Sequence, residues 1–212
     1  MLRVLIATSN QGKLRDFAGA AKTYGISVSP VPGIEKLPAP MENGATFEEN
    51  ARKKAEYYSR YTPGELVLAD DSGLEVDALN GAPGIFSARY ASSAGDENAS
   101  DAANNARLLR ELKDVADAAR TARFVCAIAA AKNGRAVVTS RGEAHGRILQ
   151  APRGSGGFGY DPLFLFPELQ KTFAELSAQE KARVSHRGKA FREFLEWFAR
   201  ETSVPKNLPR AT

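Results

Sequence analysis

Two long strand-forming runs, Thr121 to Ala131 and Arg135 to Gly146, are separated only by Lys132-Asn133-Gly134. An Asn-Gly pair accepts the positive φ angles that suit the natural twist of paired strands, and it is the strongest short hairpin signal a sequence can carry. The middle of the chain is therefore committed to an antiparallel strand pair. Around it, residues 2 to 8, 27 to 31, 66 to 71, 73 to 77 and 163 to 166 read as further strands. Between these runs the apolar period lengthens to that of a helix. Leu14, Phe17, Ala18 and Ala21 form one such stripe, and Phe47, Ala51, Lys54 and Tyr58 a second. A third helix, residues 98 to 112, turns Ala102, Ala106, Leu109 and Leu112 inward, and a last one carries Phe191, Phe194, Leu195 and Phe198.

The 212 residues suffice for one large domain or two small lobes, and no repeat or linker divides them. With 43% apolar and 25% charged residues, the chain is composed like a soluble globular protein. Its net charge of +4 comes without any block of like charge, which suits a small polyanionic ligand as well as weak nucleic-acid association. Cys126 is the only cysteine and sits in an apolar run, so it reads as a core residue of a protein from a reducing compartment. No run approaches the roughly 20 apolar residues that span a bilayer, and residues 2 to 7 are too short for a signal peptide. The expectation is a cytoplasmic protein, with residues 91 to 101 a mobile loop and 202 to 212 a disordered tail.

Within that frame a few polar residues are costly where they stand. Ala69-Asp70-Asp71-Ser72-Gly73 ends the apolar run from Leu66, and Asp is expensive to bury unless paired or bound to a cation. Alternation lets only one of the two carboxylates point into a given cleft, and Asp71, nearer the turn, is the better candidate. Two readings fit: an acidic strand end for a divalent metal, or an Asp-Ser-Gly turn bonding its own backbone. Thr8-Ser9-Asn10-Gln11-Gly12-Lys13 links a strand to a helix, with Ser9 or Asn10 as cap. Its free amides suit an anion, whereas Lys13 opposes the helix dipole unless a phosphate lies between. The alternative is a capped helix with a solvated lysine, and the spacing is not that of a Walker loop.

Further along, Glu42 lies in a Pro- and Gly-containing loop, and Thr46 to Glu49 forms a capping box. Lys54 falls on the inward face with Asn50 one turn before it, either snorkelling outward or abutting negative charge. Gly154 to Pro162 sets Phe158 among glycines, either stacking on a nucleobase or tucked into the core. Lys181 and Ser185-His186-Arg187-Gly188 precede the last helix, while His145 stands isolated and reads as a surface residue. Acids (Glu42, Asp71), bases (Lys13, Lys54, Lys181, Arg187) and stacking or hydrogen-bonding groups (Phe158, Asp161, His186) together match a metal-bound nucleoside triphosphate.

Taken jointly, Ala7 to Lys13, Glu42 with Thr46 to Ala51, Ala69 to Gly73, Gly81 to Tyr90, Gly156 to Pro162 and Ser185 to Gly188 resemble the inosine/xanthosine triphosphate pyrophosphatases. Those enzymes clear non-canonical purine nucleotides. The resemblance implies an α/β fold, with a long, bent mixed sheet flanked by helices and two lobes around a central nucleotide cleft. It implies one catalytic domain over residues 1 to 201, usually as a homodimer, hydrolysing a purine triphosphate to monophosphate and pyrophosphate with Mg²⁺. By position, Thr8, Ser9, Asn10, Gln11, Gly12 and Lys13 grip the triphosphate. Asp71 is proton acceptor and metal ligand, Glu42 joins the metal shell, Lys54 supports the phosphates and Ser72 touches substrate. Phe158, Gly159, Tyr160 and Asp161, with Lys181, His186 and Arg187, form the base and sugar side. His186 and Arg187 would donate to the 6-oxo group of inosine or xanthosine. A nucleotide kinase or transferase would need an acceptor site, and a nucleic-acid module would leave Asp71 and Glu42 without a role. Neither nucleic acid nor membrane is expected as a partner.

Overall fold

The computed structural model describes residues 3–22, 24–92 and 97–201. Strand β1 (Arg3–Ile6) leads through a polar turn into α1 (Gln11–Lys22), and the chain returns beside it as β2 (Ser27–Pro30). A loop with one 3-10 turn precedes α2 (Phe47–Ser59), which feeds β3 (Val67–Val76). After a 3-10 segment, Gly84–Arg89, come α3 (Asp101–Glu111), the hairpin β4 (Thr121–Lys132) and β5 (Arg135–Ile148), and the short strands β6 (Phe164–Phe166) and β7 (Lys171–Thr172). Helices α4 (Ala178–Val184) and α5 (His186–Glu201) complete the described residues. Seven strands form one sheet in the order β2-β1-β3-β4-β5-β6-β7. β1 runs parallel to both its neighbours and the other pairs are antiparallel, so the sheet is mixed and the fold α/β, as expected.

The hairpin turns at Asn133 and Gly134, whose φ angles of 52° and 79° are the positive pair its sequence demands. From there β4 pairs with β5 out to Thr121↔Arg147, with one register shift at Ala130/Ala131. Along β3 the side chains alternate between two cores. Val67 and Ala69 pack with Phe47, Ala51, Ala55 and Tyr58 of α2. Leu68 packs on the opposite face with Phe17, Ala20 and Ala21 of α1 and with Phe191, Phe194 and Leu195 of α5. A third cluster, around Leu108, Phe124, Phe164 and Phe173, fills the far end of the sheet.

Some expectations are corrected. No turn interrupts Asp71-Ser72-Gly73: β3 continues to Val76, paired residue for residue with β4. The turn reading counted local propensity alone, and the ladder with β4 overrides it. In α1 the inward face carries Phe17, Ala20 and Ala21, while Ala18 is exposed. Likewise α3 buries Asn104 and Leu108 and exposes Ala102 and Ala106. Alanine is too small to orient a helix. In α3 the choice falls to Asn104, whose side chain accepts from Ala91 N at 2.8 Å and donates to Ala88 O at 3.1 Å. The Thr46 hydroxyl does accept from Glu49 N, but the Glu49 carboxylate reaches Ala45 N at 2.8 Å instead of closing on Thr46. Residues 93–96 of the expected mobile loop and the tail from 202 lie outside the described residues. Among those described, no helix is long and apolar enough to cross a membrane.

α5 lies so close to β5 that a Cβ at Gly142 would stand 2.2 Å from the His186 carbonyl oxygen and 2.4 Å from Ala190 N. Gly142→Ala is therefore expected to cost about 1–3 kcal/mol, as overpacking does. The check is urea unfolding, with a lower midpoint at unchanged slope.

Candidate active site

The site exists because β3 outlasts β1. Their last shared hydrogen bond runs from Ala7 N to Leu68 O, after which the β1 chain turns away through Thr8 and β3 continues, paired with β4 and, near its end, bridged from Glu75 to Pro83. A crevice beyond the carboxyl end of a parallel strand is where open α/β sheets bind ligands. Here it is a cleft of about 520 Å³, into which both faces of β3 open through Asp70, Asp71 and Ser72.

Asp71 faces α2. Asn50 Nδ2 donates to its Oδ2 at 3.1 Å and Lys54 Nζ to its Oδ1 at 3.2 Å. The same ammonium lies 2.9 Å from Glu42 Oε2. Asn50 accepts in turn from Gly44 N at 2.7 Å, so one buried amide ties the loop bearing Glu42 to the strand bearing Asp71. Burial pushes the Asp71 carboxyl above its ordinary range, against the pull of Lys54. Burial opposes the charge on Lys54, yet Asp71 and Glu42 outweigh it and raise that lysine's pKa. Lys54 does not snorkel. It is 8% exposed and held between two acids. Among the described residues no three His, Cys, Asp or Glu side chains gather as a metal cage. A hard cation at Asp71 and Glu42 would have two carboxylates and would complete its shell with phosphate oxygens and water, the usual state of Mg²⁺.

Asp70 faces the other way and is 2% exposed. Lys13 Nζ approaches its Oδ2 at 3.1 Å, and Arg187 Nη2 also at 3.1 Å. Burial drives this carboxyl upward, but Lys13 and Arg187 more than offset it and hold the pKa well below the usual range. From Arg187 the charges continue to alternate: Nη1 to Asp16 at 2.7 Å, Asp16 to Lys181 at 3.4 Å, Lys181 to Asp161 at 2.7 Å. Arg187 Nη2 also donates to Ser72 Oγ at 2.8 Å, and Nε to Asp70 at 3.3 Å. Four of its five N–H groups are thereby engaged, leaving one on Nη1.

In the turn before α1, Asn10 is the cap: its Oδ1 accepts from Lys13 N at 3.0 Å. Thr8, Ser9, Asn10 and Lys13 line the cleft. Gln11 points to solvent, and Gly12 lies beneath the Phe158 ring, which a Cβ would meet at 2.6 Å. Phe158 is half-buried, with Lys181 Nζ 4.9 Å and Arg187 Cζ 5.7 Å from its ring centroid. Asp161 accepts from Phe158 N at 2.9 Å. Burial raises the Asp161 pKa, against the lowering effect of Lys181. Gly159 and the buried Tyr160, whose hydroxyl donates to Ser87 O at 2.8 Å, complete this wall. His186 is buried and stacks on Phe124 at 4.7 Å, with Nδ1 unpartnered. Burial, then Arg187, lowers its pKa well below the ordinary value, so the ring is neutral at pH 7. His145 is exposed beside Glu143, away from the cleft.

Asp16, which couples Lys181 to Arg187, is not among the residues that the sequence singles out. Its signal was an acid one turn beyond Lys13, next to the buried Phe17. Asp70, too, has no role assigned to it from sequence.

A mixed sheet with a cleft of paired lysines and carboxylates at the end of its parallel strands defines a binder of small polyanions. Residues 4–197 match the model of the Ham1 family, and the chain belongs to that family. It is 50% identical over 198 residues to a protein of Acidobacterium capsulatum named dITP/XTP pyrophosphatase, covering 92% of this chain and 97% of that one. A protein of Geobacter sulfurreducens with the same name is 48% identical over 200 residues, covering 93% and 98%. Among solved structures, the Ham1 protein of Staphylococcus aureus superposes with a TM-score of 0.78 at 39% identity, over 94% of this chain and 99% of that one. A HAM1 protein from Coxiella burnetii gives 0.79 at 39% identity, over 94% and 100%.

Asp70→Asn leaves Lys13 and the buried Arg187 short of a counter-charge and is expected to cost about 3–5 kcal/mol at neutral pH. Because the folded pKa of Asp70 is depressed, its contribution is present above the unfolded carboxylate value and is lost as pH falls below about 4. Denaturant titrations of both proteins should show their stability difference shrinking over that acid range.

Proposed function

We propose that the chain hydrolyses non-canonical purine nucleoside triphosphates, ITP, dITP and XTP, to the monophosphate and pyrophosphate. The observation that carries this reading is one cleft shared by Asp71 and Lys13, side chains from distant parts of a chain half identical to proteins named dITP/XTP pyrophosphatase. In it, residues 8 to 13 hold the triphosphate, with Lys13 and Lys54 balancing its charge and Ser72 touching substrate. Asp71 takes a proton from a water as that water's oxygen bonds to the α-phosphorus. The bond from the α-phosphorus to the oxygen bridging to the β-phosphate breaks, and pyrophosphate leaves. A carboxylate with pKa near 4 is a weak base toward free water, and coordination of that water by a bound cation would remove much of the mismatch. Asn50 and Lys54 keep the carboxylate oriented. Mg²⁺ fits the donor set of Asp71 and Glu42, and when bound it would neutralise phosphate charge and acidify a coordinated water.

On the base side, Phe158 stacks on the purine, and Gly159, Tyr160, Asp161 and Lys181 shape the pocket around base and sugar. The donors left on His186 and Arg187 meet a 6-oxo acceptor. Adenine's amino group leaves them unpaired, a mismatch worth roughly 10⁴ in rate. We further propose that residues 1 to 201 act as one catalytic unit, as a homodimer in the cytoplasm.

Pyrophosphate release from ITP, dITP, XTP, GTP and ATP, with and without Mg²⁺, tests the assignment. The first three should lead and ATP should trail, with release abolished by chelation. A rate order led by ATP would discard the base-reading donors. Asp71→Asn should abolish turnover while the unfolding transition persists, and near-normal turnover would remove Asp71 from the mechanism.

A further inference from the structure

Phe158 stands on a glycine-rich loop, where nothing in its own sequence keeps an aromatic ring in one place. Its amide is held by Asp161, at 2.9 Å. The next peptide is held by a different element. Gly159 N donates to Asp101 Oδ2 at 2.7 Å, and Gly159 O accepts from Asn105 Nδ2 at 3.0 Å. Asp101 and Asn105 are four apart on α3 and so share one face of that helix. Between them they grip two consecutive peptide planes, that before Gly159 and that after it. Gly159 has φ +62°, with no atom within 4 Å of a Cβ built on it, so the left-handed backbone, and not crowding, calls for glycine here.

Helix α3 is itself referenced to the catalytic strand. Asn104 bonds Ala88 O and Ala91 N, and the Gly84–Arg89 segment lies against Gly73. A Cβ on Gly73 would meet Gly84 O at 2.4 Å, two residues beyond Asp71. The Phe158 ring is thus located from two sides, by Asp161 through Lys181 and by α3 through the packing of β3.

We infer that Asp101 and Asn105 are positioning residues for base recognition: by gripping both sides of Gly159 they hold Phe158 where a purine can stack, without themselves taking part in phosphate chemistry. The inference rests on the hydrolase reading and adds to it the device that sets nucleobase affinity. Loss of the grip loosens the seat of the ring over Gly12, so binding of the base weakens, while Lys13 and Lys54 keep their partners Asp70 and Asp71 on β3 and with them the charge that meets the phosphates.

The test compares native protein with the double variant Asp101→Ala/Asn105→Ala. It measures ITP turnover and, by calorimetry, binding of inosine monophosphate and of inorganic tripolyphosphate. Stacking on an aromatic ring is worth about 1–3 kcal/mol, so KM for ITP and Kd for the monophosphate should rise about tenfold, with kcat and tripolyphosphate affinity within about twofold. Asp101→Asn keeps an acceptor for Gly159 N and should stay near native. Asn105→Asp sets an acceptor against Gly159 O and should behave like the double variant. These single variants decide the matter should the double one fail to fold. The inference is overturned by equal weakening of monophosphate and tripolyphosphate, by unchanged monophosphate binding, or by an Asn105→Asp protein that binds like the native one. Native protein that binds inosine monophosphate yet releases no pyrophosphate from ITP would instead sink the hydrolase reading, leaving the clamp to be judged on binding.

Discussion

Two adjacent carboxylates on one strand, each buried and turned to an opposite face, set the terms for the rest of this molecule. Neither charge could stay in the interior alone, since an unpaired buried ion costs far more than a domain's net stability can absorb. Asp71 therefore requires Lys54 and Asn50 from α2, and Asp70 requires Lys13 from α1 and Arg187 from α5. Three helices and β3 are registered against one another through these contacts. Apolar packing holds them at the right distance. The charges decide which residues meet.

That arrangement also explains why the cleft suits a polyanion. Asp70 and Asp16 engage Arg187 within the protein, and Asp161 engages Lys181, whereas Lys13 and Lys54 stand at the cleft with carboxylates on one side and open volume on the other. A ligand rich in oxygen atoms can share those ammonium groups without first dismantling the core. The aromatic wall is held in a related way, because Phe158 lies across Gly12 and over Lys181 and Arg187, so the ring and the phosphate turn are in contact before any substrate arrives.

Much of the fold is legible locally. The Asn133-Gly134 turn needs only its own φ preferences, and the stripe of Phe191, Phe194 and Leu195 needs only helical spacing, so both stand as read. In α1 and α3 the larger residues of each expected stripe, Leu14 and Phe17, Leu109 and Leu112, do pack inward, whereas Ala18, Ala102 and Ala106 are exposed, because a methyl group buries too little area to choose a face against a polar anchor such as Asn104. The alternative reading of Asp-Ser-Gly as a turn fails for a complementary reason: three turn-favouring residues lie inside a ladder whose other strand is 56 positions away, from Asp71 to its partner Ala127.

The site divides along the same line. From sequence alone came the residue types, the strand alternation that separates Asp70 from Asp71, the inward Lys54 and the capped turn ending at Lys13, because each depends on backbone geometry over a few residues. Only the tertiary structure could decide the partners: that Lys13 lies against Asp70, that Asp16 links Lys181 to Arg187, and that α3 grips Gly159. Those pairings depend on where β1 stops while β3 continues, and on how three helices settle on two faces of a sheet. Coulomb attraction and hydrogen bonding act over a few ångströms in space whatever the distance along the chain, so local sequence rules name the charges without telling which ones come together.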